Sequence, residues 1–232
     1  MPGIKPVPIR SGKHHRMTIT VTGFISGAGC FIVESAVAED KQPQMIIDLY
    51  KKIRRNIKED GLIVSSSGFL VNSMLESVDF SQPLRILEIG SGKGAFTREI
   101  VARMSAESVL DVCEIKTEYN PWIEALIRAN PDRQITLHNQ CITEFFEGRQ
   151  QYDVIVSSLP LRNFERMNDQ GDFLRRVIQA FSDGLAEQGT YLQYQYFRSN
   201  KTDIERIFGK AMDDISFVPL NILPAFVYRM IK

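Results

Sequence analysis

From Leu84 onward, hydrophobic and polar positions follow two alternating rhythms. Short, largely apolar runs at Leu84–Ile89, Ser108–Ile115, Ile135–His138, Tyr152–Ser158 and Thr190–Phe197 read as strands. The fourth is nearly all apolar, as a strand buried on both faces should be. Between them the spacing turns helical: one helix begins near Ala95, a second covers Pro121–Ala129 with Pro121 suited to its first turn, and a third covers Asp172–Leu185. Gly184 or Gly189 stops that third helix. Ile215–Leu220 and Ala225–Ile231 then form a strand pair joined by Asn221–Pro224. Strictly alternating strands and helices predict an α/β, doubly wound, mainly parallel sheet.

Upstream of Leu84 the pattern is different. FLVNSMLESV has helical spacing, and Ser66 or Ser67 suits its N-cap. In 44–58, Ile46, Tyr50, Ile53 and Ile57 form one apolar stripe, opposed by Lys51, Lys52, Arg54, Arg55 and Lys58. Gly61 ends this stretch. Such a helix either packs on the body with its cations in water or lies among the headgroups of an anionic membrane. Residues 1–33 hold no acid and mix a basic lead with a weakly apolar stretch. Thr and Gly dilute that stretch, and Glu34 interrupts the approach to the cleavage-like Ala36-Val37-Ala38, which argues against an export signal. The expected organisation is an N-terminal extension over 1–42, a basic amphipathic helix over 43–60 and one folded domain over 61–232.

The densest chemistry lies in Leu84–Ile100, LRILEIGSGKGAFTREI. A buried strand runs into Gly90, Ser91, Gly92 and Gly94, and a helix follows. Alternate glycines let the backbone turn sharply and leave room for a ligand against it. Free N–H groups and the positive helix end favour polar or anionic groups. The spacing is GxGxG, not the GxGxxG of dinucleotide binders, and no GxxxxGK[ST] makes Lys93 a phosphate-loop lysine. Glu88 lies two residues before the first glycine. Glu114 ends the next strand 24 positions after Gly90, where a ribose-binding carboxylate is expected.

With hxExGxGxG in place, the chain resembles the class I S-adenosylmethionine-dependent methyltransferases. That resemblance implies a Rossmann-like, seven-stranded sheet closed by a C-terminal antiparallel hairpin, with S-adenosylmethionine as methyl donor. The fourth strand and its exit, VIVSSLPLRNF, narrow the likeness. Ser158-Leu159-Pro160-Leu161 stands where the ribosomal RNA adenine dimethylase group has N-L-P-Y, and lacks both the Asn and the aromatic. SxLPLxNF, GLIVSSSGFLVNSM, LQYQYF and FVPLNILPAFVYRM are similar to bacterial phospholipid N-methyltransferases, over roughly residues 45–232. By this resemblance Glu88, Gly90, Ser91, Gly92, Gly94, Glu114, Ile115, Gln140, Cys141 and Ser157 are candidate donor-binding residues. Gln140 replaces the acidic residue that contacts adenine in the family, and can still offer an amide. Ser158, Leu159 and Pro160 are expected to border the methyl group. Tyr194 and Tyr196 are expected to offer aromatic faces to a methylated ammonium, and to share one face of their strand with Gln193 and Gln195 on the other.

Composition bounds the rest. The chain has 232 residues, 44 % of them hydrophobic, and no net charge. That charge is uneven: residues 1–60 carry ten Lys/Arg against six Asp/Glu, and residues 61–232 carry eighteen against twenty-two. The basic end, not the body, is placed to meet polyanions. Cys30, Cys113 and Cys141 are too scattered for a disulfide framework or zinc site, and suit a reducing, cytoplasmic setting. No metal-ligand spacing or Ser-His-Asp arrangement is present. Trp122 and Phe96 read as core, and His138 as a half-buried, satisfied histidine. The expected partners are an anionic membrane surface and a phospholipid substrate, met by a monomer peripherally attached to the membrane. The alternative acceptor, an RNA adenine N6, is disfavoured by the neutral charge and the absence of a basic C-terminal domain.

Overall fold

A computed structural model describes residues 67–146, 151–164, 171–221 and 223–232. The expected extension over 1–42 and the basic helix over 43–60 lie outside the described residues. The first element is α1 (Gly68–Leu75), capped by Ser67, whose Oγ accepts the N–H of Leu70 at 3.3 Å. Leu70, Val71, Met74 and Leu75 form its buried face. Then come β1 (Arg85–Ile89), α2 (Ala95–Arg103), β2 (Val109–Cys113), a 3-10 turn at Thr117–Tyr119, α3 (Asn120–Ala129) and β3 (Gln134–His138). The second half holds α4 (Ile142–Phe145), β4 (Tyr152–Ser157), α5 (Leu161–Phe164), α6 (Asp172–Gly184), β5 (Leu185–Gln195), α7 (Lys201–Phe208), β6 (Asp214–Val218) and β7 (Ala225–Ile231).

The strands make one sheet in the order β3-β2-β1-β4-β5-β7-β6. β1 to β5 are mutually parallel, β7 runs antiparallel to β5, and β6 antiparallel to β7. This is the Rossmann-like, doubly wound sheet with a closing hairpin. Two apolar layers cover it. Ile86, Leu110, Val112, Val154, Val156, Leu192 and Val227 face α1 and α2 on one side. Leu87, Ile155, Tyr191, Tyr228 and Met230 face α6 and α7 on the other. The alternation of neighbours along β1 between these layers is the period of two that a strand imposes.

Four differences from the sequence reading have physical causes. β5 begins at Leu185, directly after α6, and not at Thr190. Tyr152 pairs with Leu185, and the register shifts before Val154 pairs with Thr190, with Gln188 at φ 64° absorbing the kink. α7 is not among the expected helices, although Ile204, Ile207 and Phe208 fall at helical spacing and pack into the second apolar layer; only two turns long, it offers a short pattern. β2 stops at Cys113, so Glu114 lies just beyond the strand. Trp122 is exposed on the first turn of α3 rather than core, while Phe96 is buried as expected.

Candidate functional site

β1 lies between β2 and β4, so the chain leaves the sheet in opposite directions on either side of it. Ligands of open α/β sheets bind outside the strands' carboxyl ends at such a point. There Ile89, Gly90, Cys113, Glu114, Ile115, Gln140, Cys141, Ile142, Leu159, Phe164 and Phe173 line a cleft of about 160 Å3 that opens to solvent.

The glycine turn is its floor. Gly90, Gly92 and Gly94 have φ of 75°, 53° and 78°, a region L side chains rarely enter. A Cβ on Gly90 would meet Leu159 Cδ2 at 3.2 Å, and one on Gly94 would meet Leu126 Cδ1 at 2.9 Å. The turn is tied on three sides. Gly90 N–H donates to Cys113 O at 2.8 Å, Gly94 N–H to Ser91 O at 2.9 Å, and Gly92 N–H to Glu114 Oε2 at 2.9 Å.

The two carboxylates play different parts. Glu114 Oε1 accepts the Lys116 N–H at 2.9 Å, so each of its oxygens holds one backbone donor. A carboxylate accepts about four hydrogen bonds, which leaves capacity on the side facing the cleft. Its own backbone is fixed by the His138 carbonyl at 3.0 Å and by Asn139 Nδ2 at 2.8 Å. Glu88 is fully buried, and neither of its oxygens has a hydrogen-bond partner. Burial pushes its carboxyl up to about 7 from 4.5, and the Glu114 charge adds to the rise. Thr97, whose hydroxyl and N–H face it outside hydrogen-bond geometry, pulls the other way. A buried, unpartnered carboxylate is costly, and a cationic or hydrogen-bond-donating ligand relieves that cost.

The exit of β4 closes the opposite wall. Ser158 N–H donates to Ile89 O at 2.9 Å and Leu159 N–H to Ser157 Oγ at 3.4 Å. Ser158 Oγ and Ser91 Oγ are buried without partners. Pro160 is exposed at the tip of this loop. Gln193, on the strand face away from the tyrosines, holds this loop in place. Its Nε2 donates to Leu159 O at 3.0 Å and to Tyr194 O at 2.7 Å, while its Oε1 accepts Tyr191 O–H at 2.9 Å. A glutamine repeated at alternate positions inside a buried strand was the available signal.

Phe173 was also missed, because it lies on α6, far from the motifs in sequence. Its ring packs edge-on against Phe164 at 5.1 Å. Tyr194 and Tyr196 share a face of the sheet, with Gln193 on the other; like Glu88, Ser91, Gly92, Gly94, Ser157, Ser158 and Pro160 they are not among the residues lining the cleft, and they lie in the apolar layer under α1 and α2. Tyr194 stacks on Phe96 at 6.0 Å and Tyr196 meets Tyr194 at 5.7 Å. Burial pushes the Tyr196 hydroxyl well above its ordinary range. Gln140 and Cys141 reach the cleft, and the Gln140 carbonyl accepts from Cys113 Sγ at 3.4 Å. His138 is satisfied: its Nε2 lies 2.6 Å from Asp111 Oδ1, and Asp111 Oδ2 accepts Tyr152 O–H at 2.8 Å. Among the described residues, no three His, Cys, Asp or Glu side chains gather as a metal site.

No family model and no curated protein matches this sequence. Solved structures do resemble it. 1,6-Didemethyltoxoflavin-N1-methyltransferase from Burkholderia thailandensis, with bound S-adenosylhomocysteine, is 13 % identical over 90 % of this chain and 97 % of its own, with a TM-score of 0.58. The N-methyltransferase NodS from Bradyrhizobium japonicum WM9 is 16 % identical over 83 % of this chain and 98 % of its own, with a TM-score of 0.51. TrmN from Thermus thermophilus is 15 % identical over 70 % of this chain, with a TM-score of 0.55, and this chain spans only about half its length (48 %). At these identities the likeness concerns the backbone: the chain has the Rossmann-like fold of these methyltransferases, its glycine turn and two glutamates lying at the switch point of the sheet.

Proposed function

We propose that this chain is an S-adenosylmethionine-dependent N-methyltransferase whose acceptor is the amine of a phosphatidylethanolamine headgroup. One observation carries the proposal. A buried carboxylate without partners, Glu88, lies just before three positive-φ glycines, and a second carboxylate, Glu114, keeps free capacity on the cleft that the first of those glycines lines. These residues fit the donor. Glu88 answers the cationic amino-acid end, the glycines leave room for the chain to lie against the turn, and Glu114 accepts from ribose hydroxyls. Gln140, Cys141 and Ile142 border the base.

When bound, S-adenosylmethionine supplies a methyl group on a sulfonium, open to in-line displacement by a neutral amine. The protein therefore has to align the amine and keep water out. Leu159, Phe164 and Phe173 form the apolar wall. An amine entering against them is desolvated, and its pKa falls from the lysine-like value of about 10 toward the range where it attacks as a neutral nucleophile. Gln193 holds the Leu159 carbonyl and so sets the position of the Ser158–Pro160 loop beside the reacting atoms. The Phe164 and Phe173 rings offer faces to the methylated ammonium product, the role the sequence had suggested for Tyr194 and Tyr196.

The lipid acceptor is supported by the SSLPL loop, by NILPAFVY in the closing hairpin and by the cationic stripe of 44–58. Two of the neighbouring structures are N-methyltransferases by name. The test is incubation with methyl-labelled S-adenosylmethionine and either anionic vesicles containing phosphatidylethanolamine or ribosomal RNA. Label in the lipid phase is the expected result. Label on RNA, or on neither, refutes the lipid acceptor.

A further inference from the structure

The described part of the domain is polarised along the strand axis. Five large apolar side chains stand exposed in it, Phe69, Ile115, Trp122, Phe217 and Leu220, each between 45 and 65 % accessible. Isolated exposed hydrophobics are ordinary, but their placement here is not. Ile115 follows β2 and Trp122 opens α3, so both stand at the carboxyl end of the parallel strands. Phe217 and Leu220 end β6 and begin the turn to β7; two antiparallel steps away from β5, that turn is at the same end. Phe69 joins them because α1 starts there, with Ser67 N–H bonded to Asn221 Oδ1 at 3.0 Å and Ser67 Oγ to Leu220 O at 3.3 Å. The cleft opens at this end too, between the Ile115–Trp122 pair and the Phe69–Phe217–Leu220 group.

Charge follows the same axis. Around the cleft end the described loops and the short helices α4 and α5 carry Lys93, Lys116, Arg162 and Arg198 against the exposed acids Glu118 and Glu144, while Asp172 at the start of α6 is paired with Arg175. Each of the first four cations lies over an aromatic ring: Lys93 over Trp122 at 5.0 Å, Lys116 over Tyr119 at 6.0 Å, Arg162 over Phe197 at 4.6 Å and Arg198 over Phe226 at 5.7 Å. At the opposite end the acids Glu76, Asp79, Glu107, Asp132, Asp183, Glu187, Asp213 and Asp214 outnumber the cations Arg103, Arg128, Arg133, Lys210 and Lys232. Aromatic rings interleaved with cations are the composition of a surface that sits at a membrane–water interface. An acidic far end is repelled by the same anionic headgroups and adds orientation.

We propose that the carboxyl-end face of the sheet docks on an anionic lipid bilayer, with Trp122 and Ile115 on one side of the cleft and Phe69, Phe217 and Leu220 on the other entering the headgroup–acyl boundary. The cleft mouth then opens onto the bilayer, and a lipid headgroup enters it without leaving the membrane. None of these residues belongs to the cationic segment 44–58. The assignment rests on the lipid reading above for its purpose, and on the described surface for its evidence.

Trp122 is the chain's single tryptophan, so the native protein reports its own docking. The full chain is mixed with vesicles of phosphatidylcholine with or without phosphatidylglycerol, and with acyl chains brominated near the headgroup. With the anionic vesicles, Trp122 emission shifts to the blue and is quenched. Replacing two exposed side chains, Phe69→Ser and Leu220→Ser, weakens vesicle partitioning by about tenfold each. The double variant keeps its melting temperature and its S-adenosylmethionine affinity by calorimetry. Vesicle binding with unchanged Trp122 emission overturns the proposal, as does unchanged partitioning of the double variant. A dimer in sedimentation velocity that the double variant breaks also overturns it, because a second copy then covers the face. Trp122 quenching in a chain that binds no S-adenosylmethionine upholds the docking face and sinks the methyltransferase reading instead.

Discussion

The sharpest consequence of the site is energetic and belongs to Glu88. The folded chain holds the Glu88 proton up to about pH 7, whereas an unfolded chain releases it near 4.5. Between those values the native state binds more protons than the unfolded one, so this group's contribution to stability falls as pH rises through the window. Below 4.5 nothing is lost; above about 7 the loss is complete. At roughly 1.4 kcal/mol per pH unit, a rise of this size is worth about 3 kcal/mol. Glu88→Gln removes the titration and keeps the shape. Guanidinium denaturation of both proteins at steps from pH 4.5 to 8 is the assay. The variant should gain on the wild type by about 3 kcal/mol across that range, whatever its constant offset. A difference between them that does not change with pH would refute the idea that Glu88 is buried and unpartnered. The same carboxylate should make S-adenosylmethionine affinity climb with pH toward 7, since the ligand's cationic end selects the ionised form. Calorimetry in buffers of unlike ionisation enthalpy would register the proton released.

Other outcomes are equally concrete. Glu114→Ala should weaken S-adenosylmethionine binding by about 100-fold and lower the melting temperature, because Gly92 and Lys116 lose their acceptor; unchanged affinity in titration would remove Glu114 from the site. Gly94→Ala, strained at φ 78° and crowded by Leu126 and Ile123, should cost about 1–3 kcal/mol in denaturant unfolding. Gly184→Ala should cost about 2–4 kcal/mol, since its Cβ would fall 2.0 Å from a Phe146 ring held between Phe145, Tyr152 and Phe181. Gln193→Leu should lower kcat about tenfold with little change in S-adenosylmethionine affinity, because it frees the Leu159 carbonyl and not the glycine turn; an equal loss of both would contradict its assignment to the loop.

Much of this was legible in the chain itself, because it depended on local rules. Periods of two and 3.6 marked seven strands and the longer helices. Glycine at three alternate positions marked the turn, since only glycine takes those φ values cheaply. Ser67 was legible as a cap because its hydroxyl acts three residues away. The sequence could place Glu88 and Glu114 at strand ends, but could not say that one holds a backbone donor on each oxygen while the other is left bare.

That distinction, and the rest, came from contacts between residues distant along the chain. Phe173 faces the cleft because α6 packs on the layer carrying Phe164, and Gln193 reaches Leu159 across 34 positions. Tyr194 and Tyr196 left the candidate site because Phe96 of α2 stacks on their face of the sheet. Trp122, core by composition, is exposed because α3 turns its neighbour Ile123 inward instead. Patterning along a chain records which face of each element is apolar. Which end of the sheet gathers those exposed rings, cations and cleft is decided only when strands from every part of the chain align side by side.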